Sequence, residues 1–538
     1  MTTATVAPYR SAQPAGRDGF AQLLRAEWDK FRSVRGWVIG MIVAALLMLA
    51  FGLLGVQNSS VCGSTGGPNA RTLTGAACLP TFPVGPGGQV VTDSFYFVRQ
   101  SLTGNGSITA RVTSFTGAQY NQGPPGSNPA AGLQQWSKAG IIIKASTKPG
   151  SAYAAMMVTG SHGVRMQYDF TQDIAGLPGK VSSAHPRWLR LTRSGDTITG
   201  YDSADGAHWT QVAVADLAGL PSTVQVGLFA TSPNAGHFTT SFGGGTGSFG
   251  PTQATGVFDH VGLSGSKHSG SWTGGAIGVP TGFGPSGQGS DEGFQRAGGT
   301  FTVTGSGDIA PVVTGPGSGS GGTGTIQEHL IGTFAGLIAV MVVAVMFITA
   351  EYRRGLIRVT LAASPRRGRV LAAKAVVIGL VTFVMGLVTA AIAVPVGVHL
   401  SHDQGLYMLP VSWLTAARVV VGTAALLAVG AVLALAVGTI LRRSAAAVTA
   451  VIVGIVLTYV IGVVPGVLPS GAAAWLLRVT PAAGFAIQQS TPTYPQVANS
   501  YLPPDYYPLA AWAGFAVLCG YAALAMCLAV FLIRRRDA

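Results

Sequence analysis

Six histidines and seven of the aspartates in one stretch of this chain are of types that could do chemistry: His162, His185, His208, His237, His260 and His268, with Asp93, Asp169, Asp173, Asp196, Asp202, Asp205 and Asp259. No histidines fall at a compact zinc-ligand spacing. A glycoside-hydrolysing site needs two carboxyl groups roughly 5–10 Å apart. Several of these aspartates instead stand in SGD and SADG turns, where an Asx turn is the simpler account. Calcium held by turn carboxylates is the alternative at those positions. The reading is therefore no catalytic residue and no metal site. Trp136, Trp188, Trp209 and Trp272 are candidates for a flat carbohydrate face, against the competing reading that they fill or cover a core.

Phosphate chemistry is not written here either. No GxxxxGK[ST] occurs, and the Gly-rich run at 315–325 lacks the lysine and the strand–helix context of a phosphate loop. The chain needs no cofactor of its own. Cys62 and Cys78 are spaced for a modest loop, and oxidation to a disulfide is permitted if they face an oxidising compartment. Cys519 and Cys527 lie in an apolar stretch and read as packing residues.

The elements that must carry these residues are set by the distribution of apolar sequence. Only 10% of the 538 residues are charged, against about 25% in an ordinary soluble domain. Six apolar stretches, 36–56, 330–350, 375–398, 413–441, 445–464 and 509–533, are each long enough to cross a bilayer as a helix. Their flanks carry Arg25, Lys30, Arg32 and Arg35, then seven Lys or Arg between spans two and three, then Arg442 and Arg443, then Arg534–Arg536. All these groups fall on one side of a six-span topology. The alternate loops, 399–412 and 465–508, hold almost none. The positive-inside rule places the basic side, with both termini, in the cytoplasm of a plasma-membrane protein. The net charge of +14 is thereby explained by orientation, and nucleic acid is not expected as a partner. Segment 1–35 is too long and basic for a cleaved signal.

Between spans one and two lie the 273 residues 57–329, placed outside by this topology. Short alternating runs such as KAGIIIK at 138–144, AYAAMMVT, RWLRLTR and VQVGLFA predict an all-β sandwich with its core at about 90–265. TITGYDSADGAHW predicts a hairpin turning at Asp205-Gly206, with a return strand ending near Trp209. The Gly-rich run 315–325 reads as a tether. The fold class expected is a multi-pass α-helical membrane protein of six transmembrane helices, with a large extracellular β-sandwich inserted between helices 1 and 2. WSKAGIIIK, WLRLTRSGDTITGYDSADGAHW and ATGVFDHVGL resemble strands of bacterial concanavalin-like jelly-roll domains.

On the basic side, 351–374 reads EYRRGLIRVTLAASPRRGRVLAAK. An acid follows directly on an apolar span, then a short amphipathic stretch, then a Ser-Pro break. With LLRAEWDKFRSVRGW at 23–37, RVTPAAGFAIQQS at 478–490 and the apolar tail ending RRRDA, this segment resembles the permease subunit of an actinobacterial type 2 ABC exporter. The resemblance implies an amphipathic N-terminal helix on the inner surface and a coupling element at 351–364, with Glu351, Arg353, Arg354 and Arg358 meeting the ATPase. It implies a separate ABC ATPase dimer that binds ATP and magnesium, and a second permease copy. Arg418, one turn inside span four, is a candidate for the substrate path, with snorkelling to headgroups as the alternative. The other functional reading is a membrane-anchored extracellular binding or scaffold protein whose sandwich recognises carbohydrate or a surface partner.

Overall fold

The computed structural model describes residues 19–57, 82–120, 129–241, 244–278, 292–312, 323–353, 355, 367–464, 467–494, 496–497 and 507–536. Helix α1 (Phe20–Ser33) and helix α2 (Arg35–Gln57) are separated by one extended residue, Val34. Leu24, Glu27 and Phe31 recur three and four residues apart and form the inward face of α1. Arg25, Trp28, Asp29 and Arg32 are exposed. Helix α2 is apolar all round, as a lipid-embedded helix is.

The β region follows. Its strands are β1 (Val91–Asp93), β2 (Phe95–Gln119), β3 (Ala130–Ala131), β4 (Lys138–Lys144), β5 (Tyr153–Thr159), β6 (Val164–Tyr168) and β7 (Gln172–Ala175). Then come β8 (Arg187–Ser194), β9 (Thr197–Ser203), β10 (Thr210–Asp216), β11 (Thr223–Thr231), β12 (Ala235–Ser241), β13 (Gly244–Gly250) and β14 (Thr252–Ile277). Last are β15 (Gly293–Ala297), β16 (Thr300–Gly305), β17 (Ile309–Pro311) and β18 (Thr323–Gly324). Strand β2 belongs to two layers. Its first half pairs with β11 and its second half with β8, while β14 follows it along both. Gly104, at φ +74°, stands at the changeover, in a conformation that costs a β-carbon-bearing residue energy. The layer β10-β9-β8 faces β4-β5-β6, close enough that a Cβ on Gly200 would run into the sulfurs of Met156 and Met166.

KAGIIIK is buried on both faces, which is why it reads as a continuous apolar run rather than an alternation. Ile141 and Ile143 enter the core between the layers. Burying each is worth about 1.5–3 kcal/mol. Ile142 faces the other way, into a second core with Phe95, Phe97, Tyr153, Phe170 and Phe229. The two lysines that end the strand have no exposed side chain. Lys138 Nζ donates to Asp308 Oδ1 at 2.6 Å and to the Ile309 carbonyl at 2.6 Å. Lys144 Nζ donates to Asp93 Oδ2 at 2.7 Å. Because Asp93 and Ile309 are paired in the β1–β17 ladder, the lysines clamp the two ends of the β region to its central strand.

The strand content runs past the expected boundary at 265. Strand β14 continues to Ile277, and β16 and β17 close the region. The Gly-rich sequence there lacks an alternating pattern, and its ladder to β2 comes from tertiary pairing. In the 197–216 hairpin, Trp209 precedes the return strand β10 rather than ending it. Part of the expected tether, Thr323–Gly324, forms a parallel pair with β19 (Tyr407–Met408).

The remaining helices are α3 (Thr333–Arg353), α4 (Arg367–Asp403), α5 (Trp413–Leu441), α6 (Ser444–Val451), α7 (Thr458–Val463), α8 (Ser470–Val479) and α9 (Ala511–Arg536). Residues Ile452–Leu457 join α6 to α7 as a π-helical segment. Among the described residues, six helical spans are long and apolar enough to cross a membrane: Arg35–Leu54, Glu328–Arg353, Arg367–Asp403, Trp413–Leu441, Ser444–Val463 and Ala511–Arg535. Helices α3 and α5 are the most buried and form the centre. The segment expected as loop 465–508 is only partly a loop. It holds α8 and a 3-10 helix, Pro481–Gln488, whose residues Ala482 to Gln488 are all buried in the bundle.

The Lys144–Asp93 pair gives a stability prediction. Burial pushes the Lys144 pKa down against the pull of Asp93, so the aspartate is the partner that keeps it charged. Lys144→Met alone strands Asp93 in an apolar site and should cost about 3–5 kcal/mol. Asp93→Leu combined with Lys144→Met should cost markedly less. Thermal unfolding of the full chain, followed by near-UV dichroism, separates the two; equal losses would contradict the clamp.

Candidate coupling site

Four charged side chains converge at the end of the bundle where α1 lies. Glu27 is on α1 and faces inward because Leu24 and Phe31 do. Glu351 is in the last turn of α3, and Lys374 is in the third turn of α4. Lys374 Nζ donates to Glu27 Oε2 at 2.6 Å and to Glu351 Oε1 at 2.6 Å. Lys30 Nζ, one turn along α1, donates to Glu27 Oε1 at 2.9 Å and reaches Glu351 Oε1 at 3.3 Å. Lys374 has no exposed side-chain surface, and Glu27 and Glu351 are nearly as deep. Two acids and two bases cancel, which makes burial of Glu27, Glu351 and Lys374 tolerable.

The floor of this site is aromatic. Phe31 of α1, Trp37 of α2 and Phe347 of α3 meet with ring centroids 4.9–6.2 Å apart. Lys374 Nζ lies 4.7 Å from the Phe347 ring, within cation–π range. Lys30 is half-buried. Burial works against its charge, but the hydrogen bonds and charges of Glu27 and Glu351 outweigh this and raise its pKa. Its ionic contribution is therefore present through neutral pH and lost only as strongly alkaline pH passes the raised value. The arrangement ties three separate helices into one unit: α1 cannot shift without moving the ends of α3 and α4.

Of the residues expected to act here, Glu351 is in the network and Arg353 is exposed at the end of α3. Arg354 and Arg358 lie outside the described residues. Sequence reasoning missed Glu27, Lys30 and Lys374 as partners, counting the lysines only toward topology. The available signal was an acid on the apolar face of an amphipathic helix, where a charge needs a partner.

The other expected positions lie away from this site. Arg418, on α5, donates from Nη2 to the carbonyl of Gln489, just past the buried 3-10 helix. Trp136 is buried and stacks on His162 at 3.9 Å. Trp188 lies against Gly206 on one side and within 5.5 Å of the Arg111 guanidinium. Trp209 carries the Arg190 guanidinium 3.8 Å over its ring and donates from Nε1 to the Gly206 carbonyl. Trp272 meets Phe301 edge-on at 5.3 Å. Trp136 is buried, and Trp188, Trp209 and Trp272 are half-buried. Cys62 and Cys78 lie outside the described residues, and among those residues no cluster of three metal-ligating side chains occurs.

Removing the shared cation tests the geometry. Lys374→Met leaves two buried carboxylates, Glu27 and Glu351, with only the half-buried Lys30 between them and should lower stability by about 3–5 kcal/mol. Adding Glu27→Gln and Glu351→Gln should recover most of the loss. The measurement is the melting temperature of the full chain in nanodiscs. A single variant that melts like the parent would mean the network is not formed.

Comparison with known proteins identifies the membrane part. No curated protein matches the chain. A functionally unknown protein from Saccharomyces cerevisiae is similar at 16% identity, over 35% of this chain and 84% of that one, with a TM-score of 0.21. A scytalido-glutamic peptidase bound to a transition state analog inhibitor is similar at 6% identity, over 41% of this chain and 100% of that one, with a TM-score of 0.25. Neither likeness is close enough to bear on function. The family model for the ABC-2 family transporter protein matches residues 22–538, from α1 to the C-terminal tail. Six apolar spans and this match over nearly the whole sequence place the chain in one family: it belongs to the ABC-2 family of transporter proteins.

Proposed function

We propose that this chain is the transmembrane subunit of an ATP-driven exporter, energised by a separate ABC ATPase dimer that supplies the ATP and magnesium chemistry. The observation that carries the reading is the Glu27–Lys30–Glu351–Lys374 network, buried except at Lys30. A partner that closes on ATP must push on something rigid, and a force on α1 or on the end of α3 passes through this network to α4. Arg353, Arg354 and Arg358 are the residues proposed to meet the ATPase, with Glu351 as the buried hinge of the same element. The basic end faces the cytoplasm on this reading, with the β domain outside and a second permease copy completing the path. Spans with so few buried charges suit an outward-moving lipid-like or amphipathic substrate better than a small ion.

Coupling and topology are tested separately. In a reconstituted complex with its ATPase, Arg358→Glu should reduce transport-linked ATP hydrolysis about tenfold while the melting temperature of the permease stays unchanged. Unaltered hydrolysis and unaltered complex yield would remove the coupling role. In intact cells, a membrane-impermeant maleimide should label cysteines placed at the exposed Ser161 and Ser222 of the β domain, and not one placed at Ser364. Labelling at Ser364 would reverse the orientation.

A further inference from the structure

The chain leaving the buried 3-10 helix grips both the bundle and the β domain. Gln488, its last residue, donates from Nε2 to Thr333 Oγ1 of α3 at 2.9 Å and to Thr423 Oγ1 of α5 at 3.0 Å. The next residue, Gln489, accepts from Arg418 of α5 at its carbonyl and from the Tyr507 backbone N–H at its Oε1. Ser490 N–H donates to Gln327 Oε1, ahead of α3. Six residues further on, Gln496 is buried and donates from Nε2 to the carbonyl of Phe170 in the β domain at 2.6 Å.

The receiving end is unusual. Asp169 and Phe170 are consecutive non-glycine residues in the left-handed region, at φ +48° and +65°. Side chains rarely adopt that backbone, and two in succession need outside support. Gln89 Nε2 holds the Asp169 carbonyl at 2.9 Å, and Gln496 holds the Phe170 carbonyl. Phe170 is driven into the second core, edge-on to Tyr153 at 4.8 Å. Among the described residues, Asp169 Oδ1 and Gln496 Oε1 are buried without a hydrogen-bond partner, so this junction is incompletely satisfied.

We propose that this stretch is a mechanical link by which α3 and α5 set the state of the Asp169-Phe170 turn, and so the seating of the β domain on the bundle. Separation of α3 from α5 displaces Gln488, because its amide cannot keep both threonine acceptors. The short connection to Gln496 carries that displacement to the turn, whose strained backbone relaxes once its carbonyl is released. The β domain thereby reports, and follows, the opening of the helices beneath it. The inference does not depend on what drives the opening.

Hydrogen exchange on the full chain in nanodiscs tests it. Thr423→Val removes one acceptor of Gln488 deep in the bundle, away from every residue of the β domain named here. It should raise exchange in a peptide covering residues 168–172 about fivefold, while residues 141–143 of the central strand stay protected. In a Gln496→Ala background the same substitution should add nothing. Thr333→Val is the second variant, with the same expectation, should Thr423→Val fail to fold. Unchanged exchange at 168–172 in a folded threonine variant would overturn the link. An equal rise with Gln496 already removed would do the same, by showing another route.

Discussion

Lys374 is the side chain on which the basic end of the bundle depends. It is an ammonium group with no exposed surface, held between two carboxylates, one 23 residues away on α3 and one 347 residues away on α1. A buried charge without partners costs several kcal/mol, so each carboxylate is needed by the lysine and the lysine by both. That mutual need fixes α1 at the mouth of the bundle, against the ends of α3 and α4. A hydrophobic contact at the same place would let α1 slide along its apolar face. Directional bonds at 2.6 Å do not.

The same device recurs in the β domain. A domain inserted into a loop must return its two ends to nearby points, and β1 pairing with β17 does this. Lys144 and Lys138 then bolt the paired ends onto the central strand through Asp93 and Asp308. The second core, with Phe95, Phe97, Tyr153 and Phe229, fills the sheet face between these clamps. Trp136, Trp188, Trp209 and Trp272 are met by a histidine, two arginines and a phenylalanine. The Arg190 guanidinium stacked over the half-buried Trp209 indole is a favourable cation–π contact.

The buried 3-10 helix explains why the end of the bundle nearer the β domain is polar inside. A short 3-10 helix leaves carbonyls unpaired at its end. Arg418 takes the Gln489 carbonyl, while Gln488 uses threonine hydroxyls of α3 and α5. Tyr459 stacks on Phe485 at 3.9 Å, holding the helix from the side of the π-helical span. Polar groups at this end of the bundle, Arg418 among them, hold the backbone that leaves the 3-10 helix, where each unpaired buried group would be costly.

The sequence by itself determined what is periodic or cumulative. Six long apolar runs, only one of them carrying a charge (Arg418), basic residues gathered at alternate ends, and the alternation of runs such as RWLRLTR follow from local composition, and the described helices and strands sit on them. Glu27 on the apolar face of an amphipathic helix was visible, but its partner was not. Only the tertiary structure decided that Lys374, 347 residues away, meets it, and that Glu351 lies 321 residues from the Lys30 it touches. It also decided that β14 extends along Gly-rich sequence, and that part of an apparent loop is buried helix. The physical reason is one of range. Hydrophobic period reports the environment of a residue's own element, whereas an ion pair, a strand register or a covered indole depends on which distant element arrives opposite it.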